Sequence, residues 1–314
     1  MSGSPRDILD RIGGTPLLPL RRVVPENGTR ILLKLECENP SGSMKDRPAL
    51  AMIEAAEADG RLASGGPVVE YTGGSTGVSL ALVCAVKGHP LHIVSSDAFA
   101  REKLDHMRLL GAELEIVPSD DGRMTGELTR QMVARAGEIA RKTGGYQTNQ
   151  LNNTDQVAAY HRMAEEIWTQ TGGRVDAFVQ SVGTAASVRG TGEALRRRNE
   201  RISVVAVEPA ESAVLSGGPS GAHKIDGVGA GFVVPLWRQD AADRIERVST
   251  AESVAMALRL ARDEGLFCGT STGSNVVAAL RLAENLGPDV TVVTLMCDTG
   301  MKYLSNAQYQ AGVS

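Results

Sequence analysis

The sequence predicts an α/β protein whose sheets are parallel or mostly parallel and flanked by helices. Two observations lead to this prediction. Short apolar runs rich in β-branched residues recur along the chain, and helical patterns lie between most of them. Continuous hydrophobicity is expected of strands that are covered on both faces. Regular alternation of strand and helix then implies parallel strands joined by right-handed crossovers.

Seven segments carry the strand pattern. They are RILLKLE (30–36), PVVEYT (67–72), PLHIVSS (90–96), AELEIVP (112–118), DAFVQSVG (176–183), ISVVAVEP (202–209) and VTVVTLMCD (290–298). The helical patterns include RPALAMIEAAEADG, GVSLALVCAVKG, AREKLDHMRLLG and SNVVAALRLAENLG, which all end in glycine. A glycine at that position is a signal for a left-handed helix C-cap.

The chain looks bipartite, because the strand spacing is uneven and a candidate seam interrupts it. A long helical stretch from about Thr125 to Thr143 is followed by the polar segment GGYQTNQLNNTDQ. We therefore predict two α/β lobes with a cleft between them. An eight-stranded barrel is the alternative.

Composition limits the classes of function. The chain has 314 residues, of which 42% are hydrophobic and 22% charged, as in a globular protein with a real core. Aromatic residues make up 4%, which disfavours stacking platforms for single-stranded nucleic acid. The net charge of -4 disfavours nucleic-acid and anionic-membrane partners. No uncharged apolar run approaches the roughly 20 residues that a membrane span needs.

Cysteine usage and the N-terminal residues indicate a reducing compartment. Cys37, Cys84, Cys268 and Cys297 are far apart and form no C-x-x-C pair, so buried thiols are expected rather than disulfides or a zinc site. The segment MSGSPRDILDRIGG carries charges of both signs and no apolar core, unlike a secretory signal. We therefore expect a cytoplasmic protein.

Three glycine-rich turns are each expected to follow a strand and to open a helix. They are YTGGSTG (71–77), SVGTAASVRG (181–190) and FCGTSTGS (267–274). None fits G-x-G-x-x-G or the terminal G-K-[ST] of a P-loop, which disfavours a nucleotide site. Glycine and hydroxyl residues at a helix start still offer backbone N–H donors to an anion. The pattern therefore suggests a small phosphorylated or carboxylated ligand.

Lys45 lies between a turn and a predicted helix, in NPSGSMKDRPAL (39–50). A cation is unfavourable at that end of a helix, because the unpaired backbone N–H groups make it partly positive. Lys45 is therefore either a solvated surface residue or a residue that points into a cleft and bonds to something there.

Together these segments resemble the cysteine synthase and cystathionine β-synthase family, whose members are fold type II enzymes that use pyridoxal 5'-phosphate. NPSGSMKDR resembles the cofactor-lysine segment, IGGTPLLPL the I-G-x-T-P-L entry, and SVGTAAS the phosphate loop S-V-G-T-G-G-T. HKIDGVGAGFVV (223–234) resembles the H-K-I-x-G-I-G-A-G-F segment of the O-acetylserine sulfhydrylases. EGLFCGTSTGS resembles the family's E-G-x-x-x-G-x-S-S/A-G segment, so the match covers nearly the whole chain.

The resemblance implies a fold and a division of the chain. The fold would be the two-domain, tryptophan synthase β-like fold, with the cofactor in the inter-domain cleft. A smaller, mobile α/β domain would comprise 46–148. A larger domain, which binds the cofactor phosphate, would comprise 1–45 and 149–314.

The resemblance also implies a cofactor site. Lys45 would form the internal aldimine with pyridoxal 5'-phosphate and, once displaced by substrate, would remove the Cα proton as general base. Ser271 would face the pyridine nitrogen, to which a hydroxyl can donate a hydrogen bond without enforcing a pyridinium. The cofactor phosphate would bind to Gly183, Thr184, Ala185, Ala186 and Ser187. Two of these, Ala185 and Ala186, replace family glycines, and we expect their methyl groups to need only ordinary backbone angles.

The substrate carboxylate would bind, by the same resemblance, to one loop and one glutamine. The loop is Thr72, Gly73, Gly74, Ser75 and Thr76, and the second contact is Gln150. The family's loop is T-S-G-N-T, so Gly73 replaces a serine and Ser75 replaces an asparagine that usually contacts the cofactor's ring oxygen. The alternatives are that Ser75 or Thr76 is a helix N-cap and that Gln150 is a loop glutamine.

Five further residues lie near these segments. Cys268, Cys297 and His223 are expected to be packing or loop residues, because the implied mechanism needs no thiol nucleophile and no metal. Asp298 and Thr299 resemble a family segment near the ring nitrogen and would line that pocket.

The implied activity is β-replacement on an O-activated serine through an α-aminoacrylate, with O-acetylserine and sulfide giving L-cysteine. One alternative is a specialised synthase of a non-protein amino acid, suggested by Gly73 and Ser75. Another, from a different class, is a weakly catalytic protein that binds a partner. The implied partners are a small amino-acid substrate, a small nucleophile, a second copy of the chain in a homodimer, and the C-terminal tail of a serine acetyltransferase.

Overall fold

The computed structural model describes residues 5–24, 26–120, 125–284 and 286–310. Over these residues the chain forms two sheets, one of six strands and one of four. The predicted α/β fold with mostly parallel sheets is therefore confirmed, and the eight-stranded barrel is wrong. Contacts divide the chain into two compact units, each of which carries one sheet.

The first unit comprises the described residues up to Ile12 together with Asn39–Gln156. Its strands are β3 (Val68–Tyr71), β4 (Leu91–Ser96), β5 (Glu113–Val117) and β6 (Tyr146–Gln147). Its helices are α1 (Asp46–Ala58), α2 (Ser75–Lys87), α3 (Arg101–Leu109) and α4 (Gly126–Thr143), and α5 (Asp155–Gln170) begins at its end. The strands run in the order β5-β4-β3-β6, and every neighbouring pair is parallel.

Both faces of this smaller sheet are covered, which explains why its strands read as continuous apolar runs. Val68 of β3 packs in a core with residues of α1, α2 and α3. Its neighbour Val69 points to the opposite face and packs with α4. Successive residues of a strand alternate between faces, so a strand with two buried faces needs apolar residues at consecutive positions.

The second unit comprises Gly13–Glu38 and the described residues from Val157 onward. Its strands are β1 (Leu17–Pro19), β2 (Arg30–Lys34), β7 (Ala177–Ser181), β8 (Ser203–Pro209), β9 (Arg244–Val248) and β10 (Thr291–Leu295). Its helices are α6 (Ala186–Arg198), α7 (Thr250–Arg259), α8 (Thr270–Glu284) and α9 (Ala307–Gln310). The strand order is β1-β2-β10-β7-β8-β9, in which β1 is antiparallel to β2 and the other pairs are parallel.

The seven predicted strands are all present, with ends shifted by at most three residues. The turn at 267–274 was expected to follow a strand, and this is wrong, because it follows the helical segment Leu260–Glu264. The strands β1, β6 and β9 were not predicted. Each lies at the edge of its sheet and lacks an apolar run: β1 ends in a proline, β6 has two residues, and β9 reads RIERV. An edge strand needs only one set of hydrogen bonds and less cover, so its sequence is not constrained to be apolar.

The predicted left-handed glycine is confirmed after α1, α2 and α3, where Gly60, Gly88 and Gly111 have φ values of 81°, 76° and 91°. It is wrong after α8, because Gly287 does not have a positive φ. The polar segment that follows α4 lies within the first unit, because β6 pairs with β3 and the compact unit extends to Gln156. The smaller, mobile domain of 46–148 stays a prediction. In the part of the chain that the structure describes, no helix combines the length and the apolar character needed to cross a membrane.

Candidate active site

Lys45 lies at the very start of α1, after a tight turn. Gly42 adopts the left-handed conformation with a φ of 75°, and its N–H donates to the carbonyl oxygen of Asn39 at 2.7 Å. Lys45 is the N-cap residue of α1, and its N–H donates to Ser43 Oγ at 3.3 Å. Its side chain is half-buried rather than fully solvated.

Asp46 anchors the turn that carries Lys45. Its carboxylate is fully buried and accepts hydrogen bonds from Ser41 N at 2.7 Å and from Ser41 Oγ. Ser41 Oγ in turn lies 3.2 Å from Ser79 Oγ on α2. A carboxylate in the first turn complements the positive end of a helix. Asp46 therefore offsets the unfavourable cation at the helix start and holds the Lys45 segment against α2.

The predicted substrate loop, residues 72–76, connects β3 to α2. Gly74 is the N-cap of α2 and makes no side-chain cap hydrogen bond, and the first turn of α2 contains no acid. The N-cap alternative for Ser75 and Thr76 is therefore wrong, because they are the first two helical residues. With no cap side chain competing for them, the N–H groups at this helix start are suited to binding an anion.

Gln150 is bonded to this loop, although it lies 74 residues beyond Thr76 in the sequence. Its Oε1 accepts from Thr76 Oγ1 at 2.9 Å, and its Nε2 donates to the carbonyl oxygen of Tyr71 at 3.2 Å. Its backbone N–H donates to Glu70 Oε2 at 2.9 Å. The first unit therefore brings together the loop and the glutamine that were predicted to bind the substrate carboxylate.

Glu70 supports the candidate carboxylate site and was not predicted from the sequence. It is fully buried on β3 and also accepts hydrogen bonds from Tyr71 N at 2.9 Å and Thr148 Oγ1 at 2.5 Å. Burial raises the pKa of Glu70 to about 7, because the charged form loses its hydration, although the hydrogen bonds oppose this. The sequence signal was a carboxylate inside the apolar run PVVEYT.

The predicted phosphate loop lies in the second unit, between β7 and α6. Ala185 is the N-cap of α6 and is left-handed, with φ 70° and ψ -9°. The expectation of ordinary backbone angles is therefore wrong for Ala185, whereas Ala186 is the first helical residue. Ala186 N donates to Thr184 Oγ1 at 3.4 Å. A left-handed residue next to helical ones points successive N–H groups into one concavity, which suits a phosphate.

A buried polar network connects this loop with α8. Gln180 Nε2 donates to Ser187 Oγ at 3.4 Å, and Gln180 Oε1 accepts from Asn275 Nδ2 at 2.9 Å. Asn275 Oδ1 accepts from both the N–H and the hydroxyl of Ser181, each at 2.7 Å. Asn275 lies one helical turn after Ser271, which is 5% exposed. Gln180 and Asn275 were not predicted from the sequence. The signal that could have found them is an amide side chain inside an apolar segment, which is a strand for Gln180 and a helix for Asn275.

Asp298 and Thr299 follow β10 and lie beside the start of α8. Thr299 pairs with Cys268 in an isolated antiparallel bridge, and Gly269 N donates to the carbonyl oxygen of Asp298 at 3.4 Å. Tyr303 OH donates to Asp298 Oδ2 at 2.5 Å. The second unit therefore places Asp298 and Thr299 near the helix start that carries Ser271.

Cys268 and His223 have the surroundings of structural residues. Burial raises the pKa of the Cys268 thiol far above its ordinary value, so the reactive thiolate is strongly disfavoured. His223 Nε2 donates to the carbonyl oxygen of Gly229 at 2.9 Å, and its Nδ1 accepts from Ile225 N at 3.3 Å. Cys297 is buried within the same network as Asn275, whose Nδ2 donates to its Sγ at 3.4 Å. No group of side chains that could hold a metal ion occurs among the residues that the structure describes.

The residues of the second unit fit a phosphorylated group. An ideal Cβ on Gly183 would lie 2.5 Å from the carbonyl oxygen of Gly227, so the loop backbone there has no room for a side chain. The first turn of α6 contains no acid, and its last turn carries Arg196, Arg197 and Arg198, which complement the helix dipole. Thr184 and Ser187 add hydroxyl groups. In the first unit, Lys45 supplies the amine that a Schiff base with an aldehyde requires. Each unit therefore carries features that suit a class of enzyme with a phosphorylated aldehyde cofactor.

Comparison with known proteins agrees with this class. Residues 8–298 match the family described as pyridoxal-phosphate dependent enzyme. The chain is 40% identical over 301 residues to a probable cysteine synthase of Bacillus subtilis, which covers 94% of this chain and 95% of the relative. It is similar to the solved structure of cysteine synthase from Entamoeba histolytica, with a TM-score of 0.91, 35% identity, and coverage of 99% of this chain and 94% of that one. It is also similar to the structure of O-ureido-L-serine synthase, with a TM-score of 0.92, 33% identity, and coverage of 98% and 96%. The chain therefore belongs to the cysteine synthase family of pyridoxal-phosphate dependent enzymes, as the sequence motifs predicted.

Proposed function

We propose that this protein is a cysteine synthase, which uses pyridoxal 5'-phosphate to replace the acetate of O-acetyl-L-serine with sulfide and so forms L-cysteine. One observation carries the proposal. In a single compact unit, Lys45 begins α1, the substrate loop begins α2, and the contact between Ser41 and Ser79 joins the two segments. The similarity to cysteine synthases over nearly the whole chain supports the choice of substrates.

Three sets of residues would hold the cofactor. Lys45 Nζ would hold it covalently, residues 183–187 would bind its phosphate, and the Ser271 hydroxyl would donate to its ring nitrogen. When bound, the cofactor supplies an electron-poor ring that stabilises negative charge at the substrate Cα. A serine hydroxyl brings no counter-charge to the ring nitrogen, which favours prompt departure of a β leaving group.

The chain's own residues would then orient the substrate and move one proton. The N–H groups at the start of α2, with Thr76 and Gln150, would bind the α-carboxylate and so fix the direction of the Cα–H bond. The amine of Lys45 would take the Cα proton and return it after the nucleophile has added at Cβ. Binding of the carboxylate makes this proton transfer effective, because the Cα–H bond is then already oriented toward the amine of Lys45.

The test combines turnover with covalent trapping. Purified enzyme loaded with pyridoxal 5'-phosphate is expected to form L-cysteine from O-acetyl-L-serine and sulfide, and borohydride reduction is expected to leave the cofactor mass on the peptide that contains Lys45. Lys45→Ala should lose both, whereas the exposed-site control Lys142→Ala should keep both. A cofactor mass on another peptide, or cysteine formation by Lys45→Ala, would falsify the assignment.

A second candidate is a β-replacement synthase of a non-protein amino acid. The observation that favours it is the altered loop, in which Gly73 and Ser75 lack the serine hydroxyl and the asparagine amide of the family pattern. The two candidates are separated by kcat/KM for sulfide, organic thiols and amines with O-acetyl-L-serine as donor. A preference for sulfide favours cysteine synthase, and a preference for another nucleophile favours the second candidate.

The remaining expectations stay predictions of the family resemblance. A homodimer is tested by light scattering after size exclusion, and a cytoplasmic location by fractionation of cells. Binding of a serine acetyltransferase C-terminal tail is tested by titration with the corresponding peptide. A partner-binding protein without real catalysis would bind the peptide but would turn over no β-substituted alanine.

A further inference from the structure

The ring of Phe99 occupies the position that a side chain at residue 73 would take. A Cβ built on Gly73 would lie 1.7 Å from Phe99 Cδ2, 1.9 Å from Cγ and 2.4 Å from Cε2. These distances are far shorter than any real contact of a Cβ atom, so a side chain at 73 and this position of the ring exclude each other. The ring of Phe99 is therefore seated on Gly73, which means that it fills the space that a side chain at residue 73 would need.

Phe99 is held in place by the turn between β4 and α3. Its N–H donates to the carbonyl oxygen of Ser96 at 3.2 Å. In the same turn, Asp97 Oδ1 accepts from Ser119 N at 2.8 Å and from Ser96 Oγ at 3.1 Å. The half-buried ring also packs against the apolar clusters on both faces of the sheet. Its position is thus determined by the turn and by the core.

Phe99 and the predicted substrate loop both lie at the carboxyl ends of the strands of the four-stranded sheet. The strands β3 and β4 are parallel neighbours, with Tyr71 opposite Val94, so the segments that follow them leave the sheet on the same side. The crevice beyond the carboxyl ends of parallel strands is where α/β proteins bind their ligands. The ring therefore forms a wall beside residues 72–76.

This wall changes what a ligand would meet at the loop. An aromatic ring cannot donate a hydrogen bond to a carboxylate as a serine hydroxyl can, and it fills more space. In an amino acid the β-substituent lies within about one ring width of the carboxylate, so a ring seated on Gly73 also limits the room for that substituent. Apolar contact further disfavours a charged substituent, which would lose its hydration.

We propose that Phe99, seated on Gly73, is a specificity-determining residue that restricts the β-substituent of substrate and product to small, uncharged groups. The proposal rests on the proposed function, in which residues 72–76 bind the amino-acid carboxylate. It predicts that the pocket selects L-cysteine over cysteine derivatives with a bulky group on sulfur.

The seating itself is tested without any ligand. Gly73→Ala is expected to lower the Tm by at least about 3 °C, because the new methyl group must displace the ring. In the Phe99→Ala background the same substitution is expected to lower the Tm by less than half as much. The matched control is Gly74→Ala, since a Cβ there has no neighbour closer than Thr72 Oγ1 at 4.0 Å. Equal Tm losses for Gly73→Ala in both backgrounds would contradict the seating.

Selectivity is tested by binding, so that it does not depend on turnover. The Kd values of L-cysteine and S-benzyl-L-cysteine are measured by calorimetry on cofactor-loaded wild type, Phe99→Ala and the control Leu109→Ala, a leucine that is 86% exposed on α3. The Kd of S-benzyl-L-cysteine divided by the Kd of L-cysteine is expected to fall at least about tenfold in Phe99→Ala. The same ratio is expected to stay unchanged in Leu109→Ala. A ratio within twofold of wild type in Phe99→Ala, or no binding of either compound to wild type, overturns the proposal.

Turnover of O-acetyl-L-serine with sulfide is measured on the same preparations. A changed Kd ratio without turnover would reject the proposed function but retain Phe99 as a specificity residue. Turnover with an unchanged ratio would reject the role of Phe99 and leave the proposed function intact.

Discussion

The hydroxyl of Thr76 donates a hydrogen bond of 2.9 Å to the side-chain oxygen of Gln150. This bond joins the first turn of α2 to the segment that follows β6, and the backbone of the same glutamine is held by the buried carboxylate of Glu70. The loop of the proposed carboxylate site is therefore held in place by Gln150 and, through it, by Glu70. The geometry of the site depends on residues that are far apart in the sequence.

Thr76→Val tests this bracing, because valine keeps the shape of threonine and removes only the hydroxyl. We expect the KM for O-acetyl-L-serine to rise about tenfold. This corresponds to a loss of roughly 1.4 kcal/mol of binding free energy, because the hydroxyl no longer bonds to Gln150 or to the substrate carboxylate. Steady-state kinetics measure this. The control Thr143→Val, at the exposed end of α4, should keep the wild-type KM. A KM within twofold of wild type for Thr76→Val would show that the hydroxyl does not contribute.

Glu70 is expected to make stability depend on pH. Its pKa of about 7 in the folded protein lies above the ordinary value of 4.5, so the folded state binds the proton more tightly than the unfolded state. The contribution is fully present below about pH 4.5 and is lost as the pH rises through 7, which amounts to a loss of about 3 kcal/mol. Urea unfolding is measured between about pH 5 and 8, a range that spans this pKa. The free energy of unfolding of Glu70→Gln should depend less steeply on pH than that of the wild type.

The control for this experiment is Glu54→Gln, an exposed glutamate on α1. It should retain the full pH dependence of the wild type. Parallel curves for wild type and Glu70→Gln over this range would mean that Glu70 is ionised throughout in the folded protein.

Ala185 and Ala186 form a matched pair for backbone strain. Alanine in the left-handed conformation costs roughly 1–2 kcal/mol, which glycine avoids at an entropic cost of about 0.5–1 kcal/mol. Ala185→Gly is therefore expected to be neutral or stabilising by up to about 1 kcal/mol, whereas Ala186→Gly, inside α6, should lose about 0.5–1 kcal/mol. Urea titration measures both. Equal losses at the two positions would contradict the left-handed geometry of Ala185.

Asn275→Ala should be strongly destabilising. The substitution leaves the N–H and hydroxyl of Ser181, Gln180 Oε1 and the carbonyl oxygen of Leu295 without this partner. Each buried polar group left unbonded costs about 1–3 kcal/mol, so we expect a loss of at least about 3 kcal/mol in the free energy of unfolding. Asn152→Ala, at an exposed turn, should cost less than about 0.5 kcal/mol. A small effect of Asn275→Ala would mean that water replaces the amide.

The sequence predicted most of the fold because buried parallel strands leave a strong local signal. Each of the seven apolar runs became a strand, and all of them except β5 are buried at most positions, because two covered faces demand apolar residues at consecutive positions. The signal is missing from three of the four edge strands that the structure describes, and β5 is the edge strand that carries it. The strand β9 reads RIERV, and only its pairing with β8 makes it a strand.

The candidate site divides in the same way. Lys45, the loop of residues 72–76 and the loop of residues 183–187 could be singled out because each is a contiguous motif at a helix start, and their predicted roles come from the resemblance of those motifs to family segments. Glu70, Gln180, Asn275 and Phe99 were missed, because each acts through contacts with residues distant in the chain. Even within a recognised motif the backbone was misjudged: the φ of Ala185 is 70°, although nothing in the residue type demands it.

The sequence alone determined where turns and helix starts lie and which loops are predicted to bind an anion, because glycine, proline and hydroxyl residues act on the backbone within a few positions. Only the tertiary structure decided which side chains support those loops, that Thr76 is bonded to Gln150, and that Phe99 is seated on Gly73. The physical reason is that hydrogen bonds and steric exclusion operate over a few ångströms of space, and the path of the folded chain sets which residues come that close.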